Sequence, residues 1–134
     1  MSAQSNLEIV QGAYAAFQRG DIDGLLGALA EDVVWTGPKI EGSSFGGTYE
    51  GRAGVAKFFQ DMMAEQEILE FVVSDWIAEG DKVVAVVQAK IRVRSTQKED
   101  ATTLVHISTV KDGKLANFLE VHDTASTAAA YRAD

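Results

Sequence analysis

Residues 101–123 constrain the fold more than any other stretch, because two strand-like arms flank a tight turn and carry both histidines of the chain. The first arm is rich in Thr, Val and Ile, which are typical of half-buried strands. Asp112-Gly113 marks the turn between the arms. The sequence therefore predicts an antiparallel hairpin, and the type of turn decides which side chains meet across it.

Two turns are compatible with this hairpin. A two-residue loop pairs His106 with Leu119, whereas a three-residue loop with a bulge at Gly113 pairs His106 with Phe118. The three-residue loop separates the side chains into one apolar face and one face that holds two imidazoles and a carboxylate, and we therefore favour it. The apolar face then carries Val105, Ile107, Thr109, Leu115, Leu119 and Val121, and the other face carries Leu104, His106, Ser108, Phe118, Glu120 and His122.

Length and composition limit the class of protein. A chain of 134 residues predicts a single domain over residues 1–134, with a substantial core. A formal net charge of −8 argues against binding to nucleic acid or to an anionic membrane surface. The absence of cysteine excludes disulfides and thiolate metal sites. We find no signal-peptide pattern and no apolar run of the ~20 residues that a membrane span needs, so we expect a cytoplasmic protein.

Hydrophobic periodicity predicts helices first and strands afterwards. Ser5 or Asn6 is the expected cap of the first helix, and Asp21 the cap of the second. Apolar residues at helical spacing in the third helix include Phe58 and Met62, which suit either a packed core or the wall of an apolar pocket. The predicted helices cover 6–19, a short segment after 21, a segment after the glycine-rich loop 39–51, and 125–131; the predicted strands cover 32–36, 68–78, 82–94, 101–111 and 114–123.

This order of elements predicts an α+β domain with a curved antiparallel sheet wrapped on three N-terminal helices and a short C-terminal helix. The alternating apolar row from Val83 to Val93 and the apolar face of the hairpin would then both lie on the outer, convex face of the sheet. An exposed apolar surface of that size is unusual for a monomer. We therefore expect a homodimer that forms through this convex sheet face.

Several segments along nearly the whole chain resemble the nuclear transport factor 2-like superfamily. Within it, the chain is most similar to the SnoaL-like (polyketide cyclase-like) and ketosteroid isomerase-like branch. The segments that carry this resemblance are Tyr14-Ala15-Ala16-Phe17, Gly20-Asp21, Leu25-Leu26, Glu31-Asp32-Val33-Val34-Trp35, Gly47-Thr48-Tyr49-Glu50-Gly51-Arg52, Asp112-Gly113-Lys114-Leu115 and Asp123-Thr124.

The resemblance implies a cone-like sheet with a deep pocket between the sheet and the helices, and dimers. It also implies which side chains reach the pocket. It places Trp35, Phe118, Glu120, His122 and His106 toward the pocket, and it suggests that Val84, Val86 and Gln88 line it. Together with side chains chosen for their apolar or aromatic character, the set expected to bind a small hydrophobic ligand is Tyr14, Trp35, Tyr49, Phe58, Met62, Gln88 and Phe118. The superfamily includes isomerases, cyclases, dehydratases, hydrolases and non-enzymatic binders, so the resemblance does not decide the function.

The sequence departs from the ketosteroid isomerase pattern at three positions. The catalytic aspartate of that group corresponds to Gly37, its oxyanion tyrosine to about Ala13, and its second oxyanion acid to His106. Steroid isomerisation by that mechanism is therefore not expected. Polyketide cyclase-like members use a late acidic residue as acid or base, for which Glu120 and Asp123 are both candidates here.

Glu120, His106 and His122 are the predicted catalytic residues. A carboxylate in the middle of a strand is costly unless it is paired, and burial can tune it as a general base. Its alternative role is structural, with His106 or Arg92 as its partner. Since the sequence shows neither metal-ligand spacing nor a phosphate-binding loop, we expect no metal and no cofactor.

Two classes of function remain open at this level. The first is an enzyme that abstracts a proton beside a carbonyl group of a small hydrophobic metabolite, as in cyclisation or isomerisation, with Glu120 as base and His106 as electrophilic partner. The second is a dimeric protein that binds a small ligand without chemistry. A dehydratase or hydrolase of the same superfamily is a further alternative.

Overall fold

The computed structural model describes residues 2–134. Its helices are α1 (Ala3–Gln18), α2 (Ile22–Gly27), α3 (Gly51–Glu65) and α4 (Thr124–Tyr131), and its strands are β1 (Leu29–Gly37), β2 (Gly47–Glu50), β3 (Gln66–Glu79), β4 (Lys82–Val93), β5 (Glu99–Lys111) and β6 (Lys114–Val121). Within this range, no helix combines the length and the apolar character needed to span a membrane.

The strands form one curved six-stranded sheet in the order β2-β1-β6-β5-β4-β3, so the predicted α+β fold with three helices before the meander is confirmed. Two features differ from the prediction. β1 lies parallel to β6, which makes the sheet mixed rather than antiparallel. The loop predicted over residues 39–51 also contains β2, a short edge strand that pairs Tyr49 with Trp35.

Capping residues set the beginnings of the helices. Asp21 and Asp123 accept hydrogen bonds from the first turns of α2 and α4, as the sequence predicts. The prediction for α1 was wrong, because Ser2 caps it by accepting from the Ser5 backbone N–H at 3.1 Å. Asn6 is instead buried, and its side chain donates to the Gly80 carbonyl at 3.0 Å.

The turn of the β5–β6 hairpin contains two residues, so the predicted three-residue loop was wrong. Asp112 and Gly113 both have positive φ, 51° and 78°, as a tight hairpin turn requires. Further along β6, a bulge at Ala116 lies between the pairs Val110–Leu115 and Thr109–Asn117 and shifts the register. His106 therefore lies opposite Glu120 rather than opposite Leu119 or Phe118. The shift restores the predicted face for both histidines and Glu120, but the side chain of Leu115 is buried and not on the outer face.

The apolar row from Val83 to Val93 faces the helices, so its predicted place on the convex face was wrong. Val87 is fully buried, and Ala85 lies opposite His106 on the inner face of the sheet. The convex face is apolar through the other row of β4 and its neighbours, including Val84, Ile107 and Leu119 in register. Val72 and Ile77 on β3 are each 58% exposed, so a large apolar outer surface remains.

Candidate active site

The inner face of the sheet and the helices enclose a cavity of about 120 Å³. This volume is slightly below the roughly 150 Å³ of an engineered cavity that admits benzene. The cavity walls are mostly apolar, and its polar side chains lie in separate groups. Of the side chains predicted from the sequence, the cavity is lined by Tyr14, Trp35, Phe58, Met62, His106, Phe118, Glu120 and His122.

A hydrogen-bonded chain of three side chains lies at one end of the cavity. His106 on β5 faces Glu120 on β6, and its Nε2 lies 2.8 Å from Glu120 Oε1. The hydroxyl of Tyr14, on α1, lies 2.5 Å from the Nδ1 atom of the same imidazole. Both nitrogens of His106 are therefore occupied, and the ring links a phenol to a carboxylate.

Burial and charge set the protonation of this chain. Burial by itself raises the pKa of Glu120, but the hydrogen bond with His106 and the electrostatic attraction of His106 and His122 outweigh it, and the pKa lies below its usual value. Burial and the nearby Glu120 charge raise the pKa of Tyr14 well above its usual value. At neutral pH the chain therefore ends in a carboxylate on one side and a protonated phenol on the other.

Glu120 keeps one carboxylate oxygen free. Its Oε2 atom makes no hydrogen bond to any residue in 2–134, and the imidazole Nε2 of His122 lies 3.7 Å from it. Gly37 leaves the space beside this oxygen open, because a Cβ atom there would lie 3.9 Å from it. The free oxygen and the His122 imidazole are thus neighbours at the cavity wall.

Asp123, the other acidic candidate, lies outside the cavity. Its carboxylate accepts hydrogen bonds from the backbone N–H groups of Ala125 at 3.0 Å and Ser126 at 3.4 Å, and the residue is exposed. The two acidic candidates that the sequence left open thus differ in their access to the cavity. Glu120 alone of the two can meet a ligand in the cavity.

Aromatic rings form the wall beside Glu120. Trp35 and Phe118 are opposite each other in the parallel β1–β6 pairing, and their rings stack at 3.8 Å with an angle of 13°. Phe58 and Phe59 of α3 pack against Trp35 with centroid distances of 5.9 and 5.6 Å. The wall is rigid and apolar, which suits a flat hydrophobic ligand.

Gln88 does not line the cavity, so this prediction was wrong. Its side chain is on the exposed convex face, where it donates to Ser74 and accepts from Thr103. Val84 and Val86 share that face, because alternate residues of β4 point to opposite sides of the sheet and Ala85 faces His106. Tyr49 lies behind the wall, where it contacts Phe58 and accepts a hydrogen bond from the Gly46 N–H.

A second polar group, at the other end of the cavity, was missed by the sequence analysis. It contains Asp100 and Gln66, which are both buried. The alternation of β5 places Asp100 on the same face as Thr102, Leu104 and His106, and this pattern was the available signal. Within residues 2–134, no group of three metal-ligating side chains comes together.

A curved sheet that encloses a pocket against three helices defines the nuclear transport factor 2-like class of proteins. A family model described as SnoaL-like domain matches residues 10–118, and the chain belongs to this family.

Solved structures agree with this assignment. An NTF2-like protein from Burkholderia xenovorans LB400 is 34% identical, with 98% of this chain and 99% of that chain covered and a TM-score of 0.87. An NTF2-like protein of unknown function from Burkholderia pseudomallei K96243 is 29% identical over 95% of each chain, with a TM-score of 0.82. TerC, co-crystallised with polyporic acid, is 26% identical over 95% of this chain and 98% of its own, with a TM-score of 0.85. No curated protein matches the chain.

Proposed function

We propose that this protein is an enzyme that moves a proton beside a carbonyl group of a small hydrophobic compound, in an isomerisation or a cyclisation. The observation that carries the proposal is the free Oε2 atom of Glu120 at the wall of an apolar cavity, with Oε1 fixed by His106. A carboxylate held in one orientation and ionised at neutral pH can accept a proton from a bound substrate.

The roles of the two neighbouring histidines depend on which of their ring nitrogens already have a hydrogen-bond partner. The sequence-based hypothesis gave His106 the electrophilic role, but both of its nitrogens are occupied, so its role is to position Glu120. His122 is the better candidate donor, because its Nδ1 lies 3.2 Å from the Asp123 carbonyl while its Nε2 makes no hydrogen bond within residues 2–134 and lies beside the free oxygen of Glu120. An imidazole that carries a proton on each nitrogen can donate from Nε2 to a carbonyl oxygen bound there.

The reaction balances without a co-reactant. Glu120 Oε2 takes the proton of the C–H bond beside the carbonyl, and the electron pair of that bond moves to form an enolate. His122 stabilises the negative charge on the enolate oxygen. In an isomerisation, Glu120 returns the proton to another carbon atom. In a cyclisation, the enolate carbon attacks a second carbonyl group of the same molecule, and Glu120 gives its proton to the alkoxide that forms.

Deuterium exchange tests this proposal without knowledge of the natural substrate. Small cyclic ketones in D₂O are followed by NMR for exchange of the hydrogens beside the carbonyl. We expect the protein to accelerate exchange of at least one ketone, and Glu120→Gln to slow it by about 10²–10⁴-fold, the usual contribution of a general base. Asp123→Asn is the matched control, because it changes the nearby carboxylate outside the cavity. Equal rates for Glu120→Gln and the unmodified protein would refute the proposal.

Ligand binding without chemistry is the second candidate. It is favoured by the mutual hydrogen bonds of Tyr14, His106 and Glu120, which satisfy one another in a mostly apolar cavity. TerC, a protein of similar structure, was co-crystallised with polyporic acid, which is in line with this candidate function. A compound that co-purifies, identified by mass spectrometry and bound equally by Glu120→Gln, would support binding over catalysis.

We also propose that the protein is a homodimer formed through the convex face of the sheet. This face is apolar over several strands, with Val72 and Ile77 on β3 and Leu119 and Val121 on β6 among its exposed residues. The helices cover the other side of the sheet, where Val83, Ala85 and Val87 of β4 are buried, whereas Val84 and Ile107 lie on the convex side. A second copy of the chain offers the same surface and can cover it by two-fold symmetry.

The segment between β1 and β2 is proposed to gate the cavity. Ile40 and Phe45 of this segment are buried and line the cavity. Glu65 at the end of α3 fastens it by accepting hydrogen bonds from Ser43 Oγ at 2.9 Å and from the Ser44 N–H at 3.0 Å, and Tyr131 of α4 donates to the same carboxylate at 2.8 Å. Opening the segment therefore requires that its hydrogen bonds to the Glu65 carboxylate break.

Glu65→Gln is expected to loosen this segment. Burial raises the pKa of Glu65, but the hydrogen bonds from Ser44, Tyr131 and Ser43 outweigh it and lower the pKa below its usual value. The stabilisation is thus present above the unfolded-state pKa and is lost as the pH falls through the folded-state pKa. We expect the protection of residues 39–47 against hydrogen exchange, relative to the intrinsic exchange rate at the same pH, to fall several-fold in Glu65→Gln and in the unmodified protein at acidic pH.

Glu67→Gln is the control for this measurement, because Glu67 is two residues away and pairs with Arg92 on the surface. Exchange that is equally slow in Glu65→Gln and in Glu67→Gln would show that Glu65 does not hold the gate.

A further inference from the structure

Asp100 is a buried carboxylate at the end of the cavity remote from Glu120. It is 7% exposed and lines the cavity from β5. His106 lies six residues further along the same face of the same strand, which corresponds to roughly 20 Å. Asp100 Oδ2 accepts a hydrogen bond from Thr127 Oγ1 at 2.7 Å, and Oδ1 makes none with residues 2–134. The carboxylate therefore keeps acceptor capacity that the protein does not use.

The basic side chains closest in sequence to Asp100 are bound elsewhere. Lys90 and Arg92 both pair with Glu99 on the other face of the strand. Lys98 donates to the carbonyl of Arg132 at 2.6 Å. Arg94 likewise donates to a backbone carbonyl, that of Met63. Asp100 thus has no cationic partner within residues 2–134, and a buried carboxylate without one is costly.

Gln66 adds a second unused acceptor to this end of the cavity. It is 8% exposed and begins β3, and its Nε2 donates to the Tyr131 hydroxyl at 2.9 Å. Its Oε1 atom makes no hydrogen bond to residues 2–134. The hydroxyls of Thr127 and Tyr131 at this end already donate to Asp100 and Glu65, and the Thr102 hydroxyl, which also lines the cavity, is a neutral donor without a side-chain partner within residues 2–134. The end is therefore rich in free acceptors and negative charge, in contrast to the Glu120 end, where two imidazoles balance one carboxylate.

We propose that the Asp100 end of the cavity binds a primary ammonium group of the ligand, with Asp100 and Gln66 as acceptors. An ammonium group has three N–H donors and one positive charge. It can therefore give the Asp100 carboxylate a cationic partner and give the Gln66 amide oxygen a hydrogen-bond donor. The apolar body of the ligand then extends along the cavity between the two polar ends. This subsite deepens the proposed function by naming a feature of its substrate class, an amine-bearing hydrophobic compound, and shares the cavity with it.

Binding of two matched probes tests the subsite. Phenethylamine and 2-phenylethanol have the same carbon skeleton, and only the amine is cationic at neutral pH. We expect titration calorimetry or NMR to show at least ~10-fold tighter binding of phenethylamine, and Asp100→Asn to remove this preference. Glu99→Gln, which changes the adjacent exposed carboxylate, should keep it. Thr127→Val should also keep it, because that change leaves the carboxylate in place.

Three results would overturn the subsite. The first is equal affinity of the unmodified protein for the two probes. The second is a preference for the amine that survives in folded Asp100→Asn. The third is a preference that is lost in Glu120→Gln instead, which would place the amine at the other end of the cavity. Thermal unfolding of each variant confirms that it is folded. Failure of the proposed function has a different readout, since it leaves deuterium exchange of ketones unchanged in Glu120→Gln.

Discussion

His106→Leu is expected to lower the free energy of unfolding by about 3–5 kcal/mol at neutral pH, because it leaves a buried charge without its partner. Glu120 would keep its burial but lose its hydrogen bond and its main electrostatic partner, and the Tyr14 hydroxyl would lose its only partner among residues 2–134. His122 Nε2, 3.7 Å from the carboxylate, is too distant to replace a hydrogen bond. Urea unfolding followed by circular dichroism measures the loss.

The pH dependence of this loss gives its cause. In the unmodified protein the folded-state pKa of Glu120 lies below its unfolded value, so the stabilisation is present above the unfolded value and is lost as the pH falls through the folded value. Without His106, burial raises the folded-state pKa of Glu120. The difference in stability between the two proteins should therefore shrink as the pH is lowered from about 7 to about 4, where carboxylates begin to take up protons.

A double variant is the control. Glu120→Leu combined with His106→Leu removes both charged partners, and should regain part of the stability lost in His106→Leu alone. A loss in His106→Leu that is independent of pH, or a double variant less stable than the single one, would contradict the unpaired Glu120 carboxylate as the origin of the effect.

Val87→Glu and Ile107→Glu are expected to have opposite outcomes, although they place the same charge on neighbouring strands. Val87 is fully buried under the helices, so the variant buries an unpaired carboxylate and is expected to lose several kcal/mol and fail to fold. Ile107 lies on the convex face, opposite Val84 and Leu119. Ile107→Glu should therefore fold, and should separate the proposed dimer into monomers.

Sedimentation at micromolar concentration and circular dichroism distinguish these outcomes. Gln60→Glu is a suitable control for added charge, since Gln60 is exposed on α3, away from the convex face of the sheet. A monomeric unmodified protein would remove the dimer proposal. A folded Val87→Glu would contradict the assignment of the two sheet faces.

The faces of the sheet show how far the sequence could be interpreted. Alternation predicted correctly that His106, Glu120 and His122 share one face of the hairpin. The same alternation could not tell which of the two rows of β4 joins that face. The row from Val83 to Val93 is apolar throughout, and the alternate row is also apolar where it begins, at Val84 and Val86. Only the pairing of Ala85 with His106 decides this, and it depends on a register that spans distant residues.

The register of the hairpin was beyond local reasoning for a similar reason. Asp112-Gly113 indicates a tight turn, and the observed backbone agrees with the two-residue type. The bulge in β6 that brings Glu120 opposite His106 has no signature in the residues around it. It is stabilised by packing, since it lets Leu115 enter the core while Phe118 stays beside Trp35.

The sequence by itself determined the class of fold, the order of its elements, the caps of α2 and α4, and the shared sheet face of Glu120 and two histidines, because these depend on periodicity and on residues close together in the chain. The tertiary structure alone decided that Tyr14 joins His106 across 92 positions, that Asp123 lies outside the cavity, and that Asp100 and Gln66 share the far end of the cavity. Contacts between distant segments depend on how helices and sheet pack, and periodicity within one segment carries no information about its partner.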